Sequence, residues 1–526
     1  MGCLLEKTFK KEYPVVLHAV RKKFNRKVFA SMPCTTILIG KNASYDGSTM
    51  IARNDDSSAG SFTPKKLTVV LPEDQPRHYE SVLSHVAIDL PDDPMRYSAV
   101  PNALEGEGIW AGAGINAANV AMTATETIAS NERVLGADPL VKYVPAGEDT
   151  PMQPGGIGEE DLVTIVLPYI HSAREGVLRT AKLLEAFGTY EMNGIAFADV
   201  NEIWWMETLG GHHWIAKKVP DDQYVVMANE SGIDCFDLED ALGAGVSHLC
   251  SADLRSFIEE NHLDLSMDGR LNPREAFGTY SDADRVYNTP RTWYMLRCLS
   301  PAAAAWDGPG ADYSPLSGDI PWSMKPARRI TVEDVKYVLS SHFQGTPYDP
   351  YLSCGDASMA GAYRSIGVNR TDFLAVLQLR PYVPEEICAV EWLTFGSNVF
   401  NTLVPFYTNT EKVPAYLSTT GKEVDTDSFY WNCRLIASLA DAQYRSCKVH
   451  IERYQISVMS EAHRILRTAD RLIADPAAVK AGPQQAIDSA NAQLSDMLQK
   501  HTADVLALVL HETGNLMKNA YARSDA

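Results

Sequence analysis

The sequence has none of the patterns that mark membrane-spanning or disulfide-linked proteins. No uninterrupted apolar run approaches the ~18 residues that a transmembrane helix needs. The nine cysteines are widely scattered, and no two of them form a Cys-x-x-Cys pair. Odd, scattered cysteines are typical of reduced thiols, so we expect a cytoplasmic protein with no membrane partner rather than a disulfide framework.

Metal-binding and nucleotide-binding motifs are missing as well. The sequence contains no phosphate-binding loop, and its glycine clusters lack the βαβ setting of a dinucleotide site. His511-Glu512 lacks the second histidine of a zinc-peptidase helix. His212 and His213 are adjacent, and neighbours on a strand point to opposite faces, so we do not expect them to share a metal ion. We therefore predict neither a cofactor nor a metal.

Positive charge is scarce except at the start of the chain. The net charge of the 526 residues is −20, which argues against a nucleic-acid partner or an anionic membrane surface. Residues 1–31 nevertheless carry eight Lys or Arg against two Glu. They look unlike a packed fold, and three explanations stay open for residues 1–33: a propeptide, a targeting arm, or an extension upstream of a true start at Met32.

The pattern of apolar residues predicts an α+β protein. Hairpins are expected over 34–70 and 108–126, followed by a helix over 159–187 that Pro168 kinks. Further strands are expected at 194–200, 203–208, 224–228 and within 373–408. A second helix is predicted from Thr331, whose capping partner is Asp334, to Phe343. Strands, a helix and more strands fit two packed sheets with helices outside.

The remaining segments differ in character. Residues 235–330 are rich in proline and are predicted to be mostly loop. Two long amphipathic stretches at 430–474 and 483–520 predict a C-terminal helical hairpin. We therefore divide the chain into an extension, 1–33, a catalytic domain, 34–426, and a C-terminal helical region, 427–526. We hypothesise that these helices either pack, mediate oligomerisation or gate the pocket against longer peptides.

The segment that begins at Cys34 has the strongest functional signal. An apolar run follows this cysteine, a turn at Asp46-Gly47 reverses the chain, and a second run ends in Arg53-Asn54-Asp55-Asp56. Such a hairpin would bring Arg53 and Asp56 back beside Cys34. A cysteine that becomes residue one of a mature chain can use its own α-amine as the base, because that amine titrates near pH 8.

These residues resemble the dipeptidase A family of cysteine peptidases, within the N-terminal nucleophile (Ntn) hydrolase superfamily. Secernins, penicillin V acylases and bile salt hydrolases are related to that family. The resemblance covers about residues 34–350 and is collinear. Its motifs are Cys34-Thr35-Thr36-Ile37-Leu38, Asp46-Gly47-Ser48-Thr49, Arg53-Asn54-Asp55-Asp56, Gly114-Ile115-Asn116, Ala124-Thr125-Glu126-Thr127, Gly210-Gly211-His212-His213-Trp214, Val219-Pro220-Asp221-Asp222, Ala228-Asn229, Asn288-Thr289-Pro290-Arg291 and Gly345-Thr346-Pro347-Tyr348-Asp349.

The resemblance implies an αββα sandwich of two antiparallel sheets that hydrolyses dipeptides. It makes Cys34 the nucleophile, with Arg53 lowering its pKa, and places Asp56 against the α-ammonium. Asn229 is the expected donor to the oxyanion, and Arg291 the expected electrostatic support. A purely structural role is the alternative for Arg53, Asp56, Asn229 and Arg291.

Glu126 stands where the related amidases place an oxyanion-hole asparagine. An ionised carboxylate cannot donate a hydrogen bond, so the resemblance leaves that role open here. We predict that Glu126 instead either binds the free ammonium of a dipeptide substrate or has a structural role.

Cys34 can act in this way only if the Pro33–Cys34 bond is cut, and in this superfamily the nucleophile often cuts it itself. Two alternatives to a dipeptidase stay open: an acylase that removes a non-peptide acyl group, and a non-catalytic, secernin-like interaction protein. Carboxylates in the pocket would favour the dipeptidase, and an apolar pocket the acylase. We also expect a homo-oligomer. Dipeptide preference, the translation start and the number of subunits do not follow from the sequence.

Overall fold

The computed structural model describes residues 33–279, 281–352, 354–475 and 482–517, so the predicted extension lies outside the described residues except for Pro33. The strands of this part of the chain are β1 (Thr35–Ile39), β2 (Thr49–Asp56), β3 (Thr68–Val70), β4 (His78–Glu80), β5 (Ala87–Asp89), β6 (Tyr97–Ala99), β7 (Ala113–Ile115), β8 (Ala121–Thr127), β9 (Asn193–Ala198), β10 (Ile203–Thr208), β11 (Trp214–Lys218), β12 (Tyr224–Met227), β13 (His248–Cys250), β14 (Ser323–Met324), β15 (Thr371–Leu379), β16 (Ala389–Phe395) and β17 (Val404–Tyr407). The helices are α1 (Glu132–Ala137), α2 (Leu162–Val166), α3 (Ala173–Phe187), α4 (Leu238–Leu242), α5 (Leu254–Glu260), α6 (Pro273–Phe277), α7 (Asp282–Tyr287), α8 (Thr289–Leu299), α9 (Val332–Leu339), α10 (Ala415–Ser418), α11 (Phe429–Ala440), α12 (Tyr444–Ile473) and α13 (Pro483–Asn515).

Two antiparallel sheets organise the structure. The first has seven strands in the order β14-β12-β1-β2-β15-β16-β17, and the second has six in the order β13-β11-β10-β9-β8-β7. Every pairing within both sheets is antiparallel. The predicted α+β class and its antiparallel sheets are therefore confirmed.

The two sheets face each other, and helices cover their outer faces. Strand β2 contacts β8 and β9 of the second sheet, while α3 packs on β9 and β10. Because side chains alternate along a strand, the neighbours Trp204 and Trp205 of β10 point to opposite sides. Trp205 is buried among residues of both sheets, and Trp204 among residues of the α2 and α3 layer.

The first hairpin forms as the sequence predicts. Strands β1 and β2 pair with Thr36 opposite Arg53 and Ile39 opposite Met50. The connection turns at Gly47, whose φ of +85° suits a residue without a side chain. The Asp46 carboxylate accepts hydrogen bonds from the Ser48 amide at 3.1 Å and the Ser48 hydroxyl at 2.6 Å. These contacts fix the register that brings β2 back toward Cys34.

Two helix predictions need correction. The helix expected over 159–187 is divided into α2, a 3₁₀ turn at Leu167–Tyr169, and α3. Pro168 does more than kink the chain, because its ring removes a hydrogen-bond donor and Ser172 caps a new helix by accepting from the Glu175 amide. The helix that begins after Thr331 has the predicted capping box with Asp334 but ends at Leu339, where the Ser340 hydroxyl bonds back to the Lys336 carbonyl.

The segment 235–330 is loop-rich as predicted, but five helices and two short strands interrupt the loops of its described residues. It contains α4 to α8, and α8 carries Arg291. Pro290, taken from the sequence as a loop marker, lies in the first turn of α8. Proline is favoured there because the first amides of a helix lack intrahelical partners and a missing N–H costs nothing.

The C-terminal helices form the predicted antiparallel hairpin, with the first stretch divided into α11 and α12. Tyr454 of α12 and Thr502 of α13 share a hydrogen bond of 2.9 Å, and Glu461 lies 3.2 Å from His501. Phe429 of α11 packs edge-on against Phe395 of β16. The helices therefore share a core with the first sheet.

No helix in the described ranges is both long and apolar enough to cross a membrane. The eight cysteines in those ranges are all unpaired with one another, and Cys3 lies outside them.

Candidate active site

The β1–β2 hairpin brings Arg53 directly to Cys34. The Arg53 Nη2 atom lies 2.9 Å from the Cys34 Sγ atom, and both side chains are fully buried. The antiparallel register pairs Thr35 with Asn54 and so brings Asp55 opposite Cys34. Arg53 is two residues from Asp55 and therefore lies on the same face of β2. The predicted juxtaposition of cysteine and arginine is therefore present.

Arg53 also holds two carboxylates beside the sulfur. Its Nη2 atom donates to Asp55 Oδ1 at 2.9 Å and to Glu159 Oε1. Lys65, which is 1% exposed, lies 3.1 Å from the other oxygen of Asp55. Asp55 thus has two cationic partners, Arg53 and Lys65, whereas Glu159 has Arg53, which it shares with Asp55. The Oε2 atom of Glu159 has no hydrogen-bond partner among the described residues.

Cys34, Asp55 and Glu159 are also the donor set that could in principle hold a metal ion. One ligand atom from each of the three lies within 4.8 Å of the others. The same three atoms all accept hydrogen bonds from Arg53 Nη2. A cation already lies at the centre of the set, so these residues do not fit a metal.

Arg53 acts on the Cys34 thiol in the predicted direction, but burial outweighs its effect. Burial raises the pKa of Cys34 well above its ordinary value, although Arg53 acts to lower it. Glu159 and Asp55 add to the rise in that pKa, because a negative charge nearby disfavours a thiolate. With Pro33 attached, Cys34 is therefore a neutral thiol.

Asp56 is connected to the main chain before Cys34 through Arg364. Residues alternate along β2, so Arg53 and Asp55 share one face while Asp56 belongs to the other. The Asp56 carboxylate accepts from Thr371 Oγ1 and from Arg364 Nη2, and that same nitrogen donates to the Pro33 carbonyl at 3.0 Å. The carboxylate beside the thiol is that of Asp55, whose Oδ1 is 3.8 Å from Sγ.

Arg291 joins Cys34 to Asn229. Its Nη1 atom donates to the Cys34 carbonyl and, at 2.8 Å, to Thr35 Oγ1. Its Nη2 atom donates to Asn229 Oδ1 at 2.8 Å. Burial, followed by the like charge of Arg364, lowers the pKa of Arg291 to about 10, which still leaves it charged at neutral pH. The Asn229 amide nitrogen donates to the Thr127 carbonyl at 2.9 Å.

Glu126 lies close to the same group. Its Oε2 atom accepts a 2.8 Å hydrogen bond from Thr36 Oγ1, and its Oε1 atom is buried with no hydrogen-bond partner in the described part of the chain. Burial raises the pKa of Glu126 to about 8, although Arg291 and Thr36 act to lower it. Glu126 therefore keeps its proton at neutral pH, and a protonated carboxyl can donate a hydrogen bond.

Sequence reasoning missed four residues of this cluster: Asp55, Lys65, Glu159 and Arg364. Asp55 was visible next to Arg53, and the period of two along a strand would have placed the two together. Lys65, Glu159 and Arg364 come from distant segments and carried no local signal.

The two adjacent histidines are arranged differently from the prediction. They precede β11 in a turn, and Nδ1 of His212 and Nδ1 of His213 lie 3.1 Å and 2.8 Å from the two oxygens of Asp138. The prediction that the two histidines point to opposite faces is wrong, because they lie before β11 and not within a strand. Both rings contact one carboxyl group.

Comparison with known proteins gives a consistent result. The model of peptidase family C69 matches residues 33–457. A protein named dipeptidase from Bifidobacterium longum (strain NCC 2705) is 53% identical, over 94% of this chain and all of that protein. A probable dipeptidase A of Streptococcus pyogenes serotype M3 is 50% identical with the same coverage, and dipeptidase A of Lactobacillus helveticus is 41% identical over 94% of this chain and 99% of its own.

Proposed function

Because this chain belongs to peptidase family C69, we propose that it is a cysteine dipeptidase that forms a thioester on Cys34. The names of its relatives, dipeptidase and dipeptidase A, support the substrate class. The buried pair of Cys34 and Arg53 supports the nucleophile, because a guanidinium 2.9 Å from sulfur stabilises a thiolate as it forms.

The proposed reaction begins once Cys34 is the first residue of the chain. Its α-amine takes the thiol proton, and Sγ attacks the scissile carbonyl carbon. The tetrahedral intermediate collapses, the C–N bond breaks, and the leaving amino acid takes the proton from the α-ammonium. Water then hydrolyses the thioester with the same amine as base. Asp56 is well placed to hold that amine, since Arg364 connects it to the backbone before Cys34.

The oxyanion would be stabilised by Asn229 and its neighbours. Arg291 donates to the Asn229 oxygen and so fixes that side chain, whose amide nitrogen also donates to the Thr127 carbonyl. A single positioned donor of this kind is typically worth about 3 kcal/mol of barrier. Neutral Glu126 can supply a second donor, in place of the asparagine of the related amidases. Its predicted contact with the substrate ammonium stays a prediction.

The carboxylates around Cys34 are the observation that favours a dipeptide over other amides. In a dipeptide the free ammonium nitrogen is only about 2.5 Å from the scissile carbonyl carbon, because a single Cα separates them. Any group that binds this ammonium must therefore lie close to Sγ. Glu159 and Asp55 each have an oxygen within 4.8 Å of it. Asp55 already has two cationic partners, so Glu159 is the better receptor.

The two alternatives gain less support. An acylase would be expected to present an apolar surface to its acyl group, whereas Cys34 Sγ contacts Arg53 and Asp55, and Arg53 also binds Glu159. A secernin-like binding protein would not need charged groups around a cysteine, and it would keep residues 1–33.

Several finer points belong to the same proposal. Two facing sheets with helices outside are what an Ntn hydrolase fold requires, and they support that assignment. Removal of residues 1–33, a cytoplasmic location, a homo-oligomer and the three-part division of the chain stay predictions.

Intact mass and dipeptide hydrolysis test the proposal together. We expect a mature chain that begins at Cys34 and hydrolyses dipeptides, and a Cys34→Ala variant that does neither. Glu159→Gln should lower kcat/KM for free dipeptides by about 10- to 100-fold, with much less effect on N-acetylated ones, because a charged hydrogen-bonded pair is lost.

Glu391→Gln is the matched control, because Glu391 is a buried carboxyl that contacts Ser98 far from Cys34 in the chain. It should not change the preference for a free ammonium. A wild-type chain that starts at Cys34 yet leaves dipeptides intact would refute the proposed activity.

A further inference from the structure

The carbonyl of Pro33 is held by a charged donor. Arg364 Nη2 lies 3.0 Å from the Pro33 oxygen. This carbonyl belongs to the Pro33–Cys34 peptide bond, which must be cut if Cys34 is to become the N-terminus. The donor therefore points at the one oxygen that gains negative charge when that bond is attacked.

Arg364 is fixed in this position before any reaction takes place. Its side chain is 7% exposed, its Nη2 atom is paired with Asp56, and its Nη1 atom donates to the Ser365 carbonyl at 3.2 Å. The guanidinium also lies 5.1 Å from the centre of the Tyr287 ring. Asp56 and Tyr287 raise the pKa of Arg364 in spite of its burial, so the group stays charged.

A second arginine fixes the other side of the same residue. Arg291 donates to the carbonyl of Cys34 itself. The two carbonyls that flank the Cys34 Cα are thus each held by a buried guanidinium. This arrangement leaves the Pro33–Cys34 peptide little freedom to rotate, and preorganised donors of this kind are the most effective means of stabilising a developing oxyanion.

We propose that Arg364 is the oxyanion-stabilising catalytic residue of a self-cleavage at the Pro33–Cys34 bond. The inference rests on the proposed function, which requires Cys34 to be N-terminal. Sγ of Cys34 adds to the Pro33 carbonyl carbon, and the oxygen of that carbonyl becomes the oxyanion that Arg364 binds. The C–N bond then breaks, the thiol proton ends on the Cys34 nitrogen, and the Pro33 acyl group is left on sulfur as a thioester. Water hydrolyses this thioester to a Pro33 carboxylate and a restored thiol.

The neutral state of Cys34 makes such a donor necessary. Burial keeps the thiol protonated, so little thiolate exists before the attack. Negative charge arises mainly on the Pro33 oxygen, and Arg364 is the donor in contact with it. The role differs from that of Asn229 and Glu126, which belong to the later reaction with substrate.

The rate of self-cleavage in the full-length chain tests the proposal. The 526-residue chain is made by cell-free synthesis, and the release of residues 1–33 is followed by intact mass. We expect the wild-type chain to convert and Cys34→Ala to stay intact. Arg364→Met should slow conversion by about 100-fold or more, which is the usual cost of losing one oxyanion donor. Arg364→Lys should convert at an intermediate rate, because it keeps the positive charge but lacks the paired N–H donors of a guanidinium.

Arg370→Met is the matched control. Arg370 donates to the Tyr287 hydroxyl at 2.8 Å, so it contacts the same ring that packs on Arg364, but no contact joins it to Pro33 in the described structure. It should convert at the wild-type rate. Circular dichroism of each variant shows whether it is folded.

A second set of chains, each expressed to begin at Cys34, separates this role from a structural one. In this form Arg364→Met should lose less dipeptide hydrolysis than it loses self-cleavage, because Asp56 loses its contact with Arg364 but keeps its contact with Thr371. Normal self-cleavage by Arg364→Met would overturn the proposal. So would equal losses of cleavage and dipeptide hydrolysis, or a purified wild-type chain that never cleaves. If instead the wild-type chain that begins at Cys34 fails to hydrolyse dipeptides, the proposed function fails while the cleavage result still decides the role of Arg364.

Discussion

Burial changes the chemistry that Glu126 can perform. From the sequence, a glutamate in place of an asparagine appears unable to donate to an oxyanion, because a free carboxyl group is ionised at neutral pH. The structure places it beside Thr36 in a fully buried position, and burial raises its pKa to about 8. A group that keeps its proton at pH 7 can take over the role of the asparagine amide.

The pH profile of Glu126→Gln tests this role. We expect wild-type kcat to fall as the pH rises through about 8, because Glu126 ionises there and ceases to donate. The glutamine variant should keep its activity above pH 8, since an amide donates at any pH. The measurement is kcat for a dipeptide between pH 6 and about 9.5. A variant with an unchanged profile but a raised KM that depends on the substrate ammonium would instead support the predicted ammonium-binding role.

A single side chain satisfies the outward backbone groups of Tyr407 at one edge of the first sheet. Strand β17 is the last strand of that sheet, and the outward amide and carbonyl of Tyr407 would lack partners there. Asn491 of α13 satisfies both, with its Oδ1 atom 2.9 Å from the Tyr407 nitrogen and its Nδ2 atom 3.0 Å from the Tyr407 oxygen. The helix therefore covers an edge that could otherwise pair with another chain.

Asn491→Ala should lower the free energy of unfolding by about 1–3 kcal/mol, because it leaves a buried amide and a buried carbonyl without partners. Urea denaturation measures the change. Gln493→Ala is the control on the same helix, since Gln493 is exposed and its amide donates to Ser489, one turn away. Equal stability of the two variants would mean that water replaces the lost contacts.

The interior holds many carboxyl groups whose pKa burial raises. The pKa is raised to about 7 or 8 at six of them, which are Glu126, Asp161, Glu191, Glu230, Asp372 and Glu391. A carboxyl whose folded pKa lies above its unfolded value, near 4, keeps its proton longer in the folded state. Between the two values the folded chain binds more protons, so stability falls as the pH rises.

We therefore expect the free energy of unfolding to fall between pH 5 and pH 7, by about 1.4 kcal/mol per pH unit for each carboxyl that is protonated in the folded state and ionised in the unfolded state. His248 and Lys336, whose pKa values burial lowers, act in the opposite sense but are two groups against six. Urea denaturation at pH 5, 6 and 7 measures the slope, and Glu391→Gln should make it shallower. A stability that rises over this range would contradict the expectation.

Patterns local in sequence determined much of this protein. The alternation of apolar residues and the turn at Asp46-Gly47 predicted the hairpin that joins Cys34 to Arg53, and both are found where expected. The capping box at Thr331 and the helical hairpin at the C-terminus followed equally from short-range spacing. Proline was the main source of error, because a local pattern does not tell a loop from the first turn of a helix, as at Pro290.

The chemistry around Cys34 depends instead on chain segments far apart in sequence. Glu159 and Arg364 reach the cysteine from segments more than a hundred residues away, and no spacing rule links them to it. The protonation states of Cys34 and Glu126 follow from burial, which only the packing of both sheets creates. The sequence determines which ionisable groups are available. The packing of distant segments determines their partners, and desolvation in the folded interior sets their charge.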